Sequence, residues 1–210
     1  LRNVCKNSIS IIYYRMVNLR SVERTFRMLG ADVKVTSDPS KIIQASKLVL
    51  PGVGHFRKGV LHLKELGIWE VLNKRVLEDK IPILGICLGM QLMANFSEEG
   101  GVSGLGWFNA KVVRFEIYNQ LKYKVPHMGW NNVMLKKESL LTAGISQEAM
   151  YYFVHSYHIV CNSKEDILSS TDYEYTFTSA IQKDNIFGTQ FHPEKSHDWG
   201  EAIFRNFIRL

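Results

Sequence analysis

Short apolar runs alternate with amphipathic stretches through the first hundred residues of the chain. The apolar runs predict buried strands over residues 8–14, 33–36, 47–50 and 81–86. Apolar positions at helical spacing predict helices over residues 19–29, 60–77 and 88–96, with Ile42 and Ile43 in a short helical turn. Because strands and helices alternate at short intervals, we expect right-handed βαβ units and a parallel sheet with helices on both faces.

The pattern changes after about residue 105. Aromatic-rich segments there predict largely antiparallel strands over residues 107–115, 133–135, 151–160, 175–182 and 186–191. Residues 199–210 have the spacing of an amphipathic helix, with Ala202, Phe204, Phe207 and Ile208 toward the core. Since no Pro/Ser-rich linker, low-complexity tract or repeat separates the halves, the sequence predicts one α/β domain over residues 1–210.

Composition narrows the class of protein. With 210 residues, 46% of them hydrophobic and 22% charged, the chain can bury a sizeable core. The net charge of +6 predicts a basic face, but the Lys and Arg residues are dispersed, which disfavours nucleic-acid binding. No apolar run approaches the roughly 18 residues of a membrane span. The cysteines, Cys5, Cys87 and Cys161, form neither a disulfide framework nor a C-x-x-C pair, so we expect a cytoplasmic protein without metal.

Residues 81–91 carry the most specific chemical signal, because a strand leads directly into a helix through Gly-x-Cys-x-Gly. This is the nucleophile-elbow pattern with Cys87 in the place of serine. Gly85 and Gly89 remove side chains where the turn crowds the backbone, so the Cys87 sulfur projects above the end of the strand. The helix N-terminus there favours the thiolate. A buried structural cysteine is the plainer interpretation, and the flanking glycines disfavour it.

A thiolate nucleophile needs a proton carrier, and His192 is the best candidate among seven histidines. It follows an apolar strand and precedes Pro193, which biases it toward extended geometry. Residues i and i+2 of an extended segment point the same way, so Glu194 can hold the His192 ring. Upstream, Pro51-Gly52-Val53-Gly54 follows another apolar strand and can offer a backbone N–H to an oxyanion, with the N–H of Leu88 as its partner.

Five segments, in this order along the chain, resemble the signatures of a known family. Residues 51–54, 85–91 and 188–196 resemble those of class I (triad) glutamine amidotransferases. Residues 126–131 and 152–157 resemble the glutaminase subunits of imidazole glycerol phosphate synthase. The resemblance spans nearly the whole chain. It implies a flavodoxin-like mixed sheet with a central parallel portion, helices on both faces and antiparallel strands in the C-terminal half.

The same resemblance implies an activity and a set of roles. Glutamine would be hydrolysed to glutamate and ammonia through a thioester, with Cys87 as nucleophile, His192 as acid and base, and Glu194 orienting His192. The remaining positions implied are the oxyanion-hole residues Val53 and Leu88, the substrate-binding residues Gly52, Gln91, Ser156 and Tyr157, and the partner-interface residues His127, Trp130 and Lys195.

The implied partner is a (β/α)8-barrel cyclase subunit. In a heterodimer with it, the ammonia would be used to make imidazole glycerol phosphate and AICAR in histidine biosynthesis. No cofactor, membrane or nucleic acid is implied. Family members suppress glutamine hydrolysis until the synthase binds its ligand, and the Val53 peptide is the expected switch, because an N–H turned out of the pocket leaves the oxyanion unstabilised.

The chain departs from the family at the loop after the first strand. Tyr13, Arg15 and Val17 stand where the family has an aspartate and two glycines, and a loop that needs positive φ there would have to be rebuilt. This departure bears on the partner and not on the chemistry of Cys87. Three alternatives stay open. The ammonia could serve sugar amidation in surface-polysaccharide or flagellin-glycan synthesis; the chain could be a cysteine hydrolase of the same architecture; or it could be a catalytically silent binding module.

Overall fold

The computed structural model describes residues 8–16 and 19–210. The helices are α1 (Leu19–Met28), α2 (Pro39–Ile42), α3 (Phe56–Glu65), α4 (Ile68–Asn73), α5 (Leu88–Gln91) and α6 (His197–Arg209). The strands are β1 (Ser8–Ile12), β2 (Asp32–Thr36), β3 (Lys47–Gly52), β4 (Ile83–Cys87), β5 (Ala94–Ser97), β6 (Val102–Ser103), β7 (Phe108–Arg114), β8 (His127–Asn132), β9 (Met134–Leu135), β10 (Met150–His155), β11 (Tyr157–Cys161), β12 (Ile167–Asp172), β13 (Thr176–Lys183) and β14 (Ile186–Thr189). Over these two ranges, no helix combines the length and apolar character that crossing a membrane requires.

The main sheet is parallel at its centre and antiparallel beyond it. Its order begins β2-β1-β3-β4-β14, and every neighbouring pair in this part is parallel. This is the flavodoxin-like order, with β14 in the fifth place. The sheet continues through β13, β11 and β7, which pair antiparallel, to β5 and β6, and β12 lies beside β13. The predicted fold class is confirmed.

Alternating side chains of the central strands enter two cores, one on each face of the sheet. Leu84 and Ile86 of β4 pack in the cluster that contains Phe26 of α1 and Phe204 of α6. Ile83, also on β4, packs in the opposite cluster with residues of α3 and α4. Because successive strand residues point to opposite faces, a strand with apolar residues at every position is covered on both sides.

Two predicted helices of the N-terminal half differ from what their apolar spacing indicates. The helix predicted over residues 60–77 is divided at Gly67, which has φ 65° and separates α3 from α4. The helix predicted over residues 88–96 is wrong beyond Gln91, because Ala94–Ser97 forms β5 and pairs with β7. Sheet hydrogen bonds there override helical spacing. Since α5 is one turn long, only its first-turn N–H groups, and no long helix dipole, can act on Cys87.

The segment predicted as one strand over residues 151–160 is two strands that belong to different sheets. β10 pairs with β8 in a separate two-stranded sheet, whereas β11 joins the main sheet between β13 and β7. The break falls at Ser156, whose carbonyl accepts the N–H of Phe115. The C-terminal helix is confirmed as α6, with Ile203, Phe204 and Phe207 buried and the predicted Ala202 and Ile208 only half-buried.

Candidate active site

Three of the predicted segments meet at one edge of the parallel sheet. Cys87 is the last residue of β4, Gly52 is the last residue of β3 and pairs with it, and His192 follows β14 on the other side of β4. Parallel neighbours place their carboxyl ends together, and β1 and β3, where the strand order reverses, end at the same edge. Open α/β sheets bind their ligands at such an edge.

Cys87 lies on a strained turn that requires both flanking glycines. Its φ is 52° and its ψ is −108°, a conformation that residues other than glycine rarely adopt. A Cβ atom on Gly89 would lie 1.6 Å from the carbonyl oxygen of Leu50. A Cβ atom on Gly85 would lie 2.8 Å from the backbone nitrogen of Met90. The strand can therefore turn into α5 at this position only without these two side chains.

His192 and Glu194 form a hydrogen-bonded pair with little solvent contact. Nδ1 of His192 donates to Oε1 of Glu194 over 2.8 Å, and the two side chains are 2% and 7% exposed. Burial alone would lower the pKa of His192, but the nearby Cys87 side chain and the Glu194 carboxylate outweigh it and raise that pKa to about 10. The imidazole is therefore a cation at neutral pH. Its buried Nε2 has no hydrogen-bond partner within residues 8–16 and 19–210.

A fully buried serine fixes the backbone around His192. Ser196 Oγ donates to the carbonyl of His192 over 2.6 Å and accepts the N–H of Tyr152 over 3.0 Å. The N–H of His192 in turn donates to the carbonyl of Tyr152 over 2.9 Å. These bonds tie the residue to β10. Sequence reasoning assigned Ser196 no role, because its partner on β10 is distant in sequence.

Within residues 8–16 and 19–210, the N–H of Val53 has an acceptor on another loop, whereas the N–H of Leu88 has none. The N–H of Val53 donates to the carbonyl of Met16 over 2.7 Å, so it points toward the loop between β1 and α1. Leu88 begins α5, and N–H groups of a first helical turn have no acceptor within the helix. The predicted pair of donors is thus incomplete in this conformation.

A cavity of about 490 Å³ opens beside Cys87. The predicted site residues that line it are Val53, Cys87, Leu88, Gln91, Ser156 and Tyr157. Gly52, His192 and Glu194 lie together in a narrower recess, which shares Val53 with the cavity. A larger groove, about 780 Å³ along residues 135–144, contains neither cysteine nor histidine, so the smaller cavity is the one with reactive groups.

Glu99 also lines the cavity, and sequence reasoning missed it. Its Oε2 accepts the N–H of Phe56 at the start of α3 over 2.7 Å, which holds a carboxylate at the cavity wall. The residue lies in a loop that spacing alone does not connect to Cys87. Its position depends on the fold of α3 against the loop after β5.

Tyr14 is a second residue that sequence reasoning missed. Its hydroxyl is fully buried and has no hydrogen-bond partner in the described part of the chain. A Cβ atom on Gly52 would lie 2.1 Å from that oxygen, so Tyr14 packs against the end of β3. Burial, and then the nearby Cys87 side chain, raise the pKa of Tyr14 far above its usual value, so its hydroxyl stays protonated.

The loop between β1 and α1 keeps a glycine-like backbone at its altered position. Arg15 has φ 66°, in the left-handed region, and its guanidinium lies 3.6 Å from the carboxylate of Glu65. The expectation of a rebuilt loop is wrong at Arg15, which adopts the strained conformation instead. Tyr13 is 42% exposed, and Val17 lies outside the described residues.

The three predicted interface residues differ in exposure. Trp130 is 43% exposed and stacks on His197 with ring centroids 5.2 Å apart. Lys195 is exposed, with Nζ 5.3 Å from the ring centre of Tyr152. His127 is buried, and its Nδ1 lies 3.1 Å from Nε2 of His155. Trp130 and Lys195 can therefore contact another chain directly, whereas His127 packs behind the surface.

Comparisons with known proteins agree with this geometry. Residues 11–210 match the family described as Glutamine amidotransferase class-I. The chain is 50% identical over 201 residues to imidazole glycerol phosphate synthase subunit HisH 2 of Methanococcus maripaludis, covering 96% of this chain and 98% of that protein. It is 44% identical over 202 residues to the subunit HisH 2 of Pseudomonas aeruginosa, covering 96% and 99%.

Solved structures share the fold at lower identity. The structure of PurLQS from Thermotoga maritima superposes with a TM-score of 0.74 at 14% identity, covering 97% of this chain and 98% of that chain. The glutaminase domain of Trypanosoma brucei CTPS superposes with a TM-score of 0.64 at 17% identity, covering 97% and 94%. The family predicted from the sequence is confirmed: the chain belongs to the class-I glutamine amidotransferases, among the HisH subunits of imidazole glycerol phosphate synthase.

Proposed function

We propose that this chain is the glutaminase subunit of an imidazole glycerol phosphate synthase and that Cys87, His192 and Glu194 are its catalytic triad. The observation that carries the proposal is that the Cys87 elbow and the buried His192–Glu194 pair lie at the same sheet edge, on neighbouring strands. Relatives named as HisH subunits, 44–50% identical over nearly the full chain, support the same reaction.

The first half-reaction forms a thioester. The Cys87 thiolate attacks the side-chain amide carbon of glutamine, and the carbonyl oxygen becomes an oxyanion. His192, a cation at neutral pH because its pKa is about 10, gives its proton to the departing nitrogen, which leaves as ammonia. The oxyanion re-forms the carbonyl as the C–N bond breaks, and the C–S bond remains as the thioester. His192 is left neutral, with its Nδ1–H donated to Glu194.

The second half-reaction returns the enzyme to its starting state. Neutral His192 takes a proton from water, and the resulting hydroxide attacks the thioester carbon. The C–S bond breaks, glutamate leaves, and the thiolate of Cys87 is restored beside the His192 cation. Glu194 stabilises that cation and fixes the ring so that Nε2, which has no other partner in the part of the chain that the structure describes, serves both steps.

The cavity suits an amino acid with an amide side chain. We assign the carboxylate of Glu99 to the α-ammonium group of glutamine, and we assign the N–H groups of Leu88 and Val53 to the oxyanion. Gly52, Gln91, Ser156 and Tyr157 complete the substrate site. The 490 Å³ cavity is lined by Glu99, Gln91, Ser156 and Tyr157. Gly52 lies in the narrower recess with His192, and its lack of a side chain leaves room for the Tyr14 hydroxyl.

We further propose that the isolated chain is held in a weakly active state. The Val53 N–H is bonded to the carbonyl of Met16, and one missing oxyanion donor raises the barrier by about 3 kcal/mol. Contact with a (β/α)8-barrel cyclase, through the exposed Trp130 and Lys195, would turn the Val53 peptide into the pocket. His127 would support that surface from behind. In this proposal the chain is one cytoplasmic amidotransferase domain that needs no cofactor.

The test is glutamate formation from glutamine by the purified chain, alone and with its cyclase partner plus the histidine-pathway nucleotide. We expect low activity alone and strong stimulation in the complex, abolished by Cys87→Ala but not by the matched control Cys161→Ala. Glutamate formation that needs no partner would contradict the switch. No glutamate in any complex would refute the glutaminase and leave the hydrolase and binding-module alternatives.

A paralogue that supplies ammonia for sugar amidation is the second candidate. Arg15 and Tyr13 alter the loop that carries Met16, which favours a different partner surface. The names of two relatives number them HisH 2. Activity stimulated by a sugar-amidating partner, but not by the cyclase with its nucleotide, would favour this candidate.

A further inference from the structure

We propose that Gln190 is a further catalytic residue, whose side-chain N–H binds the sulfur of Cys87 and favours its thiolate form. The inference rests on the proposed role of Cys87 as nucleophile. Gln190 stands between β14 and His192, its side chain is fully buried, and its Nε2 lies 3.6 Å from Sγ of Cys87, a hydrogen-bond distance for a sulfur acceptor. Its backbone N–H is tied to the carbonyl of Ser179 over 2.8 Å.

The orientation of the Gln190 amide is fixed by the backbone carbonyl of Tyr157, to which it is linked by two hydrogen bonds through Gln91. Nε2 of Gln91 lies 2.9 Å from the carbonyl oxygen of Tyr157, and a carbonyl can only accept, so this atom of Gln91 must be the amide nitrogen. Its second hydrogen points at Gln190 over 3.0 Å and requires an acceptor there, which is Oε1. Gln190 therefore has only its NH2 group left to face Cys87.

A pair of neutral histidines saturates the same carbonyl from the other side. Nδ1 of His155 lies 2.8 Å from the carbonyl oxygen of Tyr157 and must donate to it. Nε2 of His155 is then an acceptor, and it lies 3.1 Å from Nδ1 of His127, which donates. Burial lowers the pKa of both rings, His127 to about 4, so the neutral tautomers that this chain requires are the ones present. No member can reverse its direction without placing two donors or two acceptors together.

This contact has a chemical consequence that differs from that of His192. An N–H donor binds a negatively charged sulfur more strongly than a neutral thiol or a thioester. It therefore favours the thiolate before attack, and it favours the same thiolate as the leaving group when water cleaves the thioester. Gln190 transfers no proton in either step, so its effect lies in the charge state of sulfur.

The test measures alkylation of Cys87 by iodoacetamide, followed on the Cys87 peptide by mass spectrometry across a range of pH. Gln190→Met keeps the side-chain length and removes the amide, and Gln190→Glu replaces the donor with a negative oxygen. We expect the midpoint of the rate–pH profile to rise by about one pH unit in the Met variant, a tenfold effect, and further in the Glu variant. His192, Tyr14, His155 and Glu99 surround Cys87 in every variant, so the difference reports the amide.

Gln182→Met on β13 is the matched control, since it makes the same substitution away from the sulfur, and its profile should follow that of the wild type. Rates are compared at temperatures where circular dichroism shows each variant folded. A Met profile identical to wild type, or a Glu variant that reacts as readily as the Met variant, would overturn the role of Gln190. If the Gln190 shift appears but the wild-type complex forms no glutamate, the glutaminase proposal fails and this contact stands.

Discussion

Removal of the Glu194 charge is the sharpest test of the proposed triad. Glu194→Gln keeps the shape of the side chain but replaces a carboxylate, 2.8 Å from His192 Nδ1, with a neutral amide. Both side chains are almost fully buried, so solvent cannot take over the lost contact. The amide can accept a hydrogen bond from His192, but it cannot compensate the positive charge that the ring carries before it protonates ammonia.

The magnitude follows from the pKa of His192. Its rise from 6.5 to about 10 corresponds to roughly 5 kcal/mol, at 1.36 kcal/mol per pH unit, shared between Cys87 and Glu194 against the opposing effect of burial. Cys87 makes the larger favourable contribution. One hydrogen bond to a charged group contributes about 2 kcal/mol. We therefore expect turnover of the activated complex to fall about 30-fold, with KM for glutamine nearly unchanged because Glu194 does not line the cavity.

The same change alters stability with a defined pH dependence. A histidine whose pKa is raised on folding contributes stability that is fully present below its unfolded pKa, near 6.5, and is lost as the pH rises through about 10. Glu194→Gln lowers the folded pKa of His192. The free energy of unfolding should thus fall by about 2 kcal/mol at pH 7, and the difference from wild type should vanish above about pH 10.

The assays are steady-state glutamate formation by the complex and urea unfolding of the chain between pH 6.5 and 10.5. Glu201→Gln is the matched control, because it removes the same charge from an exposed pair with Arg205, 3.8 Å apart on α6, which contributes less than about 1 kcal/mol. Turnover of the Glu194 variant within threefold of wild type, or a stability difference that persists above pH 10, would refute the pairing described here.

Three further substitutions test the local geometry by urea unfolding. Tyr14→Phe removes a buried hydroxyl that has no partner in the described chain, and should raise the free energy of unfolding by about 1 kcal/mol; a loss of that size would reveal a hidden acceptor. Gly89→Ala places a methyl group 1.6 Å from the Leu50 carbonyl oxygen and should cost about 3 kcal/mol; wild-type stability would contradict the elbow. Arg15→Gly relieves a left-handed backbone and should raise stability by about 0.5 kcal/mol, whereas Arg20→Gly inside α1 should lower it by about 1 kcal/mol; equal losses would contradict the strain at Arg15.

The parallel half of the fold was predictable because its strands are short, uniformly apolar and separated by amphipathic helices. The failures occur where tertiary pairing decides. The segment after Gln91 has helical spacing, yet Ala94–Ser97 pairs with β7. The position of β7 in turn depends on its pairing with β11, further along the chain. Likewise the apolar run over residues 151–160 gives no sign that β10 pairs with β8 outside the main sheet while β11 stays within it. The two strands have the same kind of apolar pattern in the sequence.

The candidate site divides in the same way. The local geometry at Cys87, His192 and Glu194 was predictable because each lies in a local pattern, namely a glycine-flanked turn or an extended i, i+2 pair. Tyr14, Glu99 and Gln190 were not, because their proximity to Cys87 arises from loops and strands that only the folded sheet brings together. Periodicity in the sequence predicts that a position is buried, but it does not predict which polar atom the side chain contacts. Such contacts can be identified only from the three-dimensional structure.

The oxyanion hole is the part of the site that is incomplete in this conformation, because the Val53 N–H is bonded to the Met16 carbonyl. The nucleophile and the His192–Glu194 pair are built into buried strand ends, so moving them would disturb the core. The Val53 N–H, by contrast, lies on a surface loop, where Val53 is 40% exposed. Its hydrogen bond to the Met16 carbonyl contributes about 1 kcal/mol. Turning that peptide into the pocket would lower the barrier by about 3 kcal/mol. In our proposal, a partner therefore needs to stabilise the turned loop by only 1–2 kcal/mol, about a tenfold shift in population, for regulation to act on this one peptide.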